Sequence, residues 1–378
     1  MVTSPSWVEV NLDAIQYNIQ QVDKRLDSNT KIMAIVKANA YGHGAVEVAK
    51  EVLNGGVNYL GVATVNEGVK LRQANIKAPI LILGTTFSQQ VTDVVKYDLT
   101  PTVYTYQLAE QLSKKGQEVK IHLNLDTGMG RIGLRSDETI EKIKKIAKLS
   151  NVKIEGIFTH FAKADTDLDY TKKQLNEFKA VVNQLEKQGI KIPIKHTANS
   201  AAIVNYSASH YNLVRMGLVL YGLYPRPELA DKIELKAALS WKARIAHLKE
   251  VPAGVSISYG GRYITSTTTK VATLPLGYHD GYSRKLSGVG DILYQGQRYP
   301  VIGRVCMDQL MVDMTGAQAA IGDVVTLLGS AGEEEISANE LADKIGTINY
   351  EVISRIGPRV PRVFYKQGEI KEAKLWKS

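Results

Sequence analysis

Residues 31-KIMAIVKANAYGHGAVEVAKEVLNGGVNYLGV-62 pass from a short apolar run through a helical segment to a second apolar run, and this alternation decides the fold. The runs beginning near Lys31 and Tyr59 are short and sharply bounded, as strands buried on both faces are. Residues 44–54 between them read as a helix. Further out along the chain, runs of the same kind begin near Pro79, Thr100, Val119, Ile154, Ile194 and Leu213, which makes eight. Helical segments separate them at 65–74, 88–98, 106–115, 137–150, 169–188 and, briefly, 200–205. Thr64-x-x-Glu67 is a capping-box signal, and Gly116 and Gly189 stand where helices stop. Upstream, Leu12, Ile15, Ile19, Val22 and Leu26 recur at spacings of three and four, an amphipathic helix. Eight strands alternating with helices over roughly 220 residues match a (β/α)8 barrel better than an open doubly wound sheet. The expected fold is therefore α/β, with the barrel in residues 1–234.

Beyond about residue 234 the helical rhythm stops. Runs at 239–251, 270–276, 290–294, 299–305, 308–314 and 322–328 are strand-like and punctuated by glycine, so 235–378 is expected to be a mostly β domain. It keeps one helix, Ser337 to Lys344, and a late strand at Arg362 to Tyr365. With 378 residues, 44% apolar and 22% charged, the chain is long enough for two buried cores. Its 47 lysines and arginines against 38 acids give a net charge of +9 without a long basic block, which argues against a nucleic-acid footprint. Pairs such as Lys114-Lys115 and Lys144-Lys145 read as solvated helix faces. The single cysteine, Cys306, forms no intramolecular disulfide. No stretch approaches the roughly 20 apolar residues of a membrane helix, and MVTSPSWVEV lacks the charged and apolar regions of a signal peptide. The expected location is the cytoplasm, with no membrane partner.

In such a barrel the active site is built at the carboxyl ends of the strands. Unusual polar residues gather there: Lys37 ends the first strand, Arg131 follows the fifth, His160 ends the sixth, Asn199 and Ser200 end the seventh, and Arg215 and Gly217 sit on the eighth. Lys37 is the informative one. An ammonium at the end of an apolar strand is costly unless paired or deprotonated, and a lowered pKa is what a Schiff-base lysine needs. An isolated lysine there would more often extend its head out past the rim.

The surrounding motif decides between these. Residues 36–44, VKANAYGHG, closely resemble the cofactor-lysine motif of alanine racemases, the barrel-type (fold type III) pyridoxal-phosphate enzymes. Further matching segments occur in the family's order over nearly the whole chain: Asp126-Thr127-Gly128-Met129-Gly130-Arg131, Thr159-His160-Phe161-Ala162, Thr197-Ala198-Asn199-Ser200, Arg215-Met216-Gly217, Ser258-Tyr259-Gly260, Gly277-Tyr278, Cys306-Met307-Asp308-Gln309 and Asn349-Tyr350-Glu351. The resemblance implies pyridoxal 5'-phosphate bonded to Lys37 as an aldimine, where it draws electrons from the substrate Cα. It implies phosphate donors in the hydroxyls of Tyr41, Ser200 and Tyr350 and the backbone around Gly217, and it counts His160 and Asn199 with the cofactor residues. Arg215 resembles the residue facing the pyridine nitrogen. An arginine there should leave that nitrogen unprotonated and limit side reactions. His196 and His160 look like its supporting network.

Racemisation removes a proton from one face of a carbon and returns one to the other, so two bases are expected. Lys37 is one, and Tyr259 resembles the second. Free amines and phenols titrate near about 10, too high for bases near neutrality, so burial and the positive field of Arg131, His160 and Arg215 are expected to help. In the family the tyrosine enters the partner subunit's barrel, which implies a homodimer with shared sites. Met307 and Tyr278 cross similarly and narrow the pocket, favouring alanine. Arg131 is implied near the substrate carboxylate. The implied role is racemisation of L- and D-alanine, supplying D-alanine for peptidoglycan. The chain departs from the commonest family pattern at Asn124, where many relatives carry a carbamylated lysine that holds the arginine. A neutral amide cannot replace that charge, so Asn124 is expected to orient Arg131 directly or together with an anion such as chloride.

Other readings remain on the sequence. Gly128-Met129-Gly130-Arg131-Ile132-Gly133 satisfies G-x-G-x-x-G after a strand, with Glu155 about 20 residues on, as in a dinucleotide fold. It follows the fifth strand of a barrel series, whereas the fingerprint belongs to the first unit of an open sheet. A pyridoxal-phosphate decarboxylase of similar architecture tends to carry an acid where this chain has Arg215. A non-enzymatic cofactor-binding barrel needs no β domain with Tyr259. No HExxH or paired-cysteine signature occurs, so no metal is expected.

Overall fold

The structure is a computed structural model that describes residues 3–135 and 138–374. The first two residues, 136–137 at the start of the expected 137–150 helix, and the last four lie outside the described residues. The chain divides into two compact units, and the division is not one cut. Ala14–Ala40 and Ala45–Lys236 form one; the residues up to Asp13, Tyr41–Gly44 and the residues from Ala237 onward form the other.

In chain order the first nine strands are β1 (Ser6–Asn11), β2 (Lys31–Ile35), β3 (Tyr59–Val62), β4 (Ile80–Ile82), β5 (Thr100–Val103), β6 (Val119–Leu125), β7 (Val152–Thr159), β8 (Ile194–His196) and β9 (Leu213–Met216). β2 to β9 make the eight-stranded sheet expected from the sequence, all neighbours parallel, with β2 pairing both β3 and β9. Between β8 and β9 the gap is bridged by the Arg215 N–H donating to the Ala198 carbonyl at 3.0 Å and the Lys195 N–H donating to Asn212 Oδ1 at 2.8 Å. The result is the nearly closed (β/α)8 barrel. Its strands are buried because both faces are covered: Ile80, Leu81 and Ile82 on β4 are all inaccessible.

The helices between the strands keep the three-and-four spacing that the sequence shows. Thr139–Ala147 buries Ile140, Ile143 and Ile146 and turns its lysines outward. Leu168–Lys187 buries Thr171, Gln174, Leu175, Phe178, Val182 and Leu185, and starts where Asp167 accepts the Tyr170 N–H. The capping box at Thr64 and Glu67 is present. No described helix is long and apolar enough to cross a membrane.

The second unit is mostly β, organised round one long sheet. β1 lies inside it, antiparallel to Leu239–Arg244 and parallel to Arg362–Lys366. The run read as one strand at 239–251 is two, Leu239–Arg244 and His247–Val251. At the join, Ile245 donates to the Asp323 carbonyl and Ala246 to the Thr273 carbonyl, so the backbone changes partners within two residues. Neither glycine nor proline marks the change. Two helices, Ala338–Ile345 and Asn349–Ser354, complete this unit.

Candidate active site

Lys37 stands just beyond β2, half-buried, at the start of an unusual turn. Ala38, Asn39, Ala40 and Tyr41 all have φ between 51 and 54°. Four consecutive side-chain-bearing residues in the left-handed region cost about 1–2 kcal/mol each, so the surroundings must hold them. Glu67 accepts the Ala38 N–H at 2.7 Å while also accepting the Ala63 N–H, and Asn39 Oδ1 accepts the Ala45 N–H at 3.0 Å. At the other end of the turn, Gly42 has φ +87°, and a Cβ there would sit 2.3 Å from the Ile353 carbonyl oxygen. Burial lowers the Lys37 pKa, and the charges of Arg131 and Arg215 lower it further against an opposing pull from Glu67.

Arg215, on β9, is buried. Its Nη1 donates to His196 Nδ1 at 3.0 Å and to the His196 carbonyl at 2.9 Å; its Nη2 donates to the carbonyls of Thr159 and Thr197 at 2.8 and 2.9 Å. His160 Nδ1 lies 3.5 Å from the same Nη2. Four of five N–H groups are thereby used, and among the described residues no carboxylate pairs with the guanidinium and nothing accepts from Nε. Burial, then the charge of Arg131, push its pKa down to about 9, which still leaves it charged at neutrality. The Phe158 ring lies 5.3 Å away. His160 and His196 are both held well below the ordinary histidine range, by burial first and Arg215 second, so both are neutral acceptors.

Asn199 caps Ser200–Asn205 by accepting the Ala202 N–H, and its amide donates to the Phe161 carbonyl. Ser200 Oγ accepts the Gly217 N–H at 3.0 Å. The Gly217 N–H is therefore engaged, and Ser200 keeps its own O–H to donate. In the other unit the rings of Tyr41 and Tyr350 lie 6.2 Å apart. Burial, then the Tyr350 phenol, push the Tyr41 pKa up and keep its hydroxyl a donor.

Arg131 is exposed, on a loop wound about Asp126, whose Oδ1 accepts the N–H of Gly128 at 3.1 Å and of Gly130 at 2.9 Å. Against burial, which would raise it, the N–H groups of Gly130 and Gly128 hold the Asp126 carboxyl below its usual range. The G-x-G-x-x-G segment is this loop, presenting an arginine, and Glu155 lies on β7. Asn124 Nδ2 donates to the Ile132 carbonyl at 3.0 Å, and its buried Oδ1 has no hydrogen-bond partner among the described residues. Among the described residues the amide makes no hydrogen bond to Arg131 itself and holds the carbonyl of its neighbour Ile132.

Tyr259, Met307 and Tyr278 belong to the β unit and are 69%, 52% and 41% exposed, large side chains that their own unit leaves uncovered. Ser258 and Gly260, with φ 66° and 74°, turn the chain on either side of Tyr259. Tyr278 and Met307 lie on adjoining loops: the Tyr278 N–H donates to the Cys306 carbonyl and the His279 N–H to the Met307 carbonyl. Arg359 ties the loops together through Asp280, at 2.7 and 2.9 Å, and Asp308, at 2.6 Å. Sequence reasoning missed Arg359, Glu67 and His122. Lys120, His122 and Asn124 alternate with apolar residues along β6, the one signal that His122 and Asn124 point to the same side.

Known proteins share this fold. The family described as "Alanine racemase, N-terminal domain" matches residues 10–225, and "Alanine racemase, C-terminal domain" matches 238–364. A curated alanine racemase of Halothermothrix orenii is 47% identical over 369 residues, covering 96% of this chain and 97% of its own. One from Methanococcus maripaludis is 45% identical over 373 residues, covering 96% and 100%. Among solved structures, an alanine racemase of Clostridium difficile 630 superposes with a TM-score of 0.96 at 40% identity, each chain fully covered. The Bacillus anthracis alanine racemase with bound L-Ala-P gives 0.95 at 39% identity, covering 100% of this chain and 99% of that one. The chain therefore belongs to the alanine racemase family.

Proposed function

We propose that the chain interconverts L- and D-alanine by a two-base mechanism with pyridoxal 5'-phosphate held on Lys37. The observation that carries this reading is Arg215: a buried, charged guanidinium with four N–H groups committed to carbonyl and imidazole acceptors, no carboxylate beside it and Nε–H left over. A donor that cannot readily give up its proton suits a pyridine nitrogen that must stay unprotonated. When bound, the cofactor supplies an electron sink that acidifies the substrate Cα–H. The hydroxyls of Tyr41, Ser200 and Tyr350 would hold its phosphate, with the Gly217 N–H turning the Ser200 hydroxyl to donate and Asn199 and His160 framing the same end of the barrel.

The Lys37 amine, its pKa lowered by burial and by Arg131, takes up or returns the proton on one face. The Tyr259 hydroxyl serves the other face from a second copy of the chain, so the active form is a homodimer with shared sites. Its exposure, with that of Met307 and Tyr278, supports this. Arg131 receives the substrate carboxylate, and Tyr278 and Met307 restrict the side chain to a methyl group. The compartment is the cytoplasm and the product serves peptidoglycan. Two measurements test the proposal. Borohydride reduction should fix the cofactor on Lys37, found by mass spectrometry of the digest. Tyr259→Phe should keep the cofactor but lose exchange of the L-alanine α-hydrogen with solvent by about 100-fold or more; undiminished exchange defeats the two-base scheme.

A further inference from the structure

Behind Arg215 the hydrogen bonds continue away from the barrel mouth. His196 Nε2 lies 2.9 Å from His122 Nδ1, and both rings are buried. His122 Nε2 faces Glu155 Oε2 at 3.5 Å, and Glu155 Oε1 pairs with the half-exposed Lys120 at 3.2 Å. Among the described residues His122 Nε2 and Glu155 Oε2 are buried with no other hydrogen-bond partner, and they face each other.

The direction of every bond in this series follows from its first member. Arg215 Nη1 can only donate, so His196 Nδ1 accepts and a neutral His196 carries its proton on Nε2. That N–H donates to His122 Nδ1. A neutral His122 then carries its proton on Nε2, aimed at a carboxylate that can only accept. The His122 pKa is lowered, with burial the leading cause, and the Glu155 carboxyl, facing His122 and paired with Lys120, is held below its usual range. The charge states therefore agree with the directions.

The backbone is shaped for this. In the pairing of β6 with β7, Ile121 is opposite Ile154 but His122 is opposite Gly156, leaving Glu155 as the extra residue of a bulge. The bulge interrupts the alternation of β7, so Glu155 and Gly156 both address His122. A Cβ at Gly156 would stand 2.5 Å from the His122 ring, and glycine leaves the space the imidazole occupies. Phe158, two residues on, stacks on His196 with ring centroids 4.7 Å apart.

We propose that His122 and Glu155 are positioning residues of the active site: they fix the tautomer of His196, and through it the orientation of the Arg215 donor. The proposal deepens the function proposed above and rests on it for the role of Arg215. With the opposite tautomer, His196 would turn an N–H toward a guanidinium that has nothing to accept it.

The test uses the enzyme carrying its cofactor, with 15N-labelled histidine. In the wild type both His122 and His196 should show the Nε2–H tautomer. Glu155→Gln should perturb the His196 ring-nitrogen signals and lower kcat about tenfold with little change in KM, as outer partners of a functional side chain do. Glu155→Asp should restore much of both. A proton on Nδ1 of either wild-type ring overturns the proposal whether or not the variants fold. So does a Glu155→Gln enzyme that loses thermal stability, or nothing at all, while its His196 signals and kcat stay as in the wild type. If the chain does not racemise alanine, the function proposed above falls, while the ring-nitrogen signals still decide the tautomers.

Discussion

Three histidines, His122, His160 and His196, feel the charge of Arg215, and for each burial is the first cause of a pKa held below the ordinary value. The unfolded chain binds protons at these side chains below about pH 6.5, and the folded chain does not. Their contribution to stability is therefore complete above that value and declines as the pH falls through 6.5 toward the folded values. Each can steepen the decline by up to about 1.4 kcal/mol per pH unit. Glu155 acts in the same direction but only near about pH 4 and below. Urea midpoints measured between about pH 7.5 and 5.5 should drop steadily; a level profile over that interval contradicts the neutral, buried state of these rings. At this scale the sequence was informative where a polar residue ended an apolar run, as at Lys37, His160 and Arg215. It was silent at Glu155, because an acid on a strand reads the same whether it faces solvent or a buried imidazole.

Among the local elements, the turn from Ala38 to Tyr41 is the least expected. Ala, Asn, Ala and Tyr favour the right-handed helix or the strand, and no glycine within them announces positive φ. The geometry is enforced by tertiary partners that are remote in sequence, Glu67 among them. Ala38 is exposed, so its conformational cost can be probed alone. Ala38→Gly should leave stability unchanged or raise it by about 1 kcal/mol, since relief of strain outweighs the greater freedom of the unfolded glycine. Ala38→Val should lower it by about 1–2 kcal/mol. Melting temperatures of the two variants on either side of the wild type would bear this out, and the reverse order would show that the turn is not strained. The bulge at Glu155 and the break between Leu239–Arg244 and His247–Val251 escaped the sequence for a related reason. The break carries neither glycine nor proline, Gly156 beside the bulge lies within a continuous strand-like run, and such a run conceals a change of partner.

For the molecule as a whole, the barrel was legible because its eight runs are short, apolar and regularly spaced, and the β unit because that rhythm stops. What could not be read was which early residues join the later sheet. The proposed sharing of sites has its own consequence: Lys37→Ala and Tyr259→Phe variants, each inactive alone, should recover about a quarter of the wild-type rate when dissociated, mixed and reassembled, because half the dimers then hold one intact site. Mixtures that stay inactive would mean that both bases come from one polypeptide. The interior position of β1, flanked by Leu239–Arg244 and Arg362–Lys366, bears on synthesis as well. On the ribosome its parallel neighbour follows this strand some 350 residues later, a wait on the order of half a minute. Its edge toward Leu239–Arg244 is open for part of that interval and its edge toward Arg362–Lys366 for all of it, so the nascent β1 needs sheltering until Arg362–Lys366 has been translated.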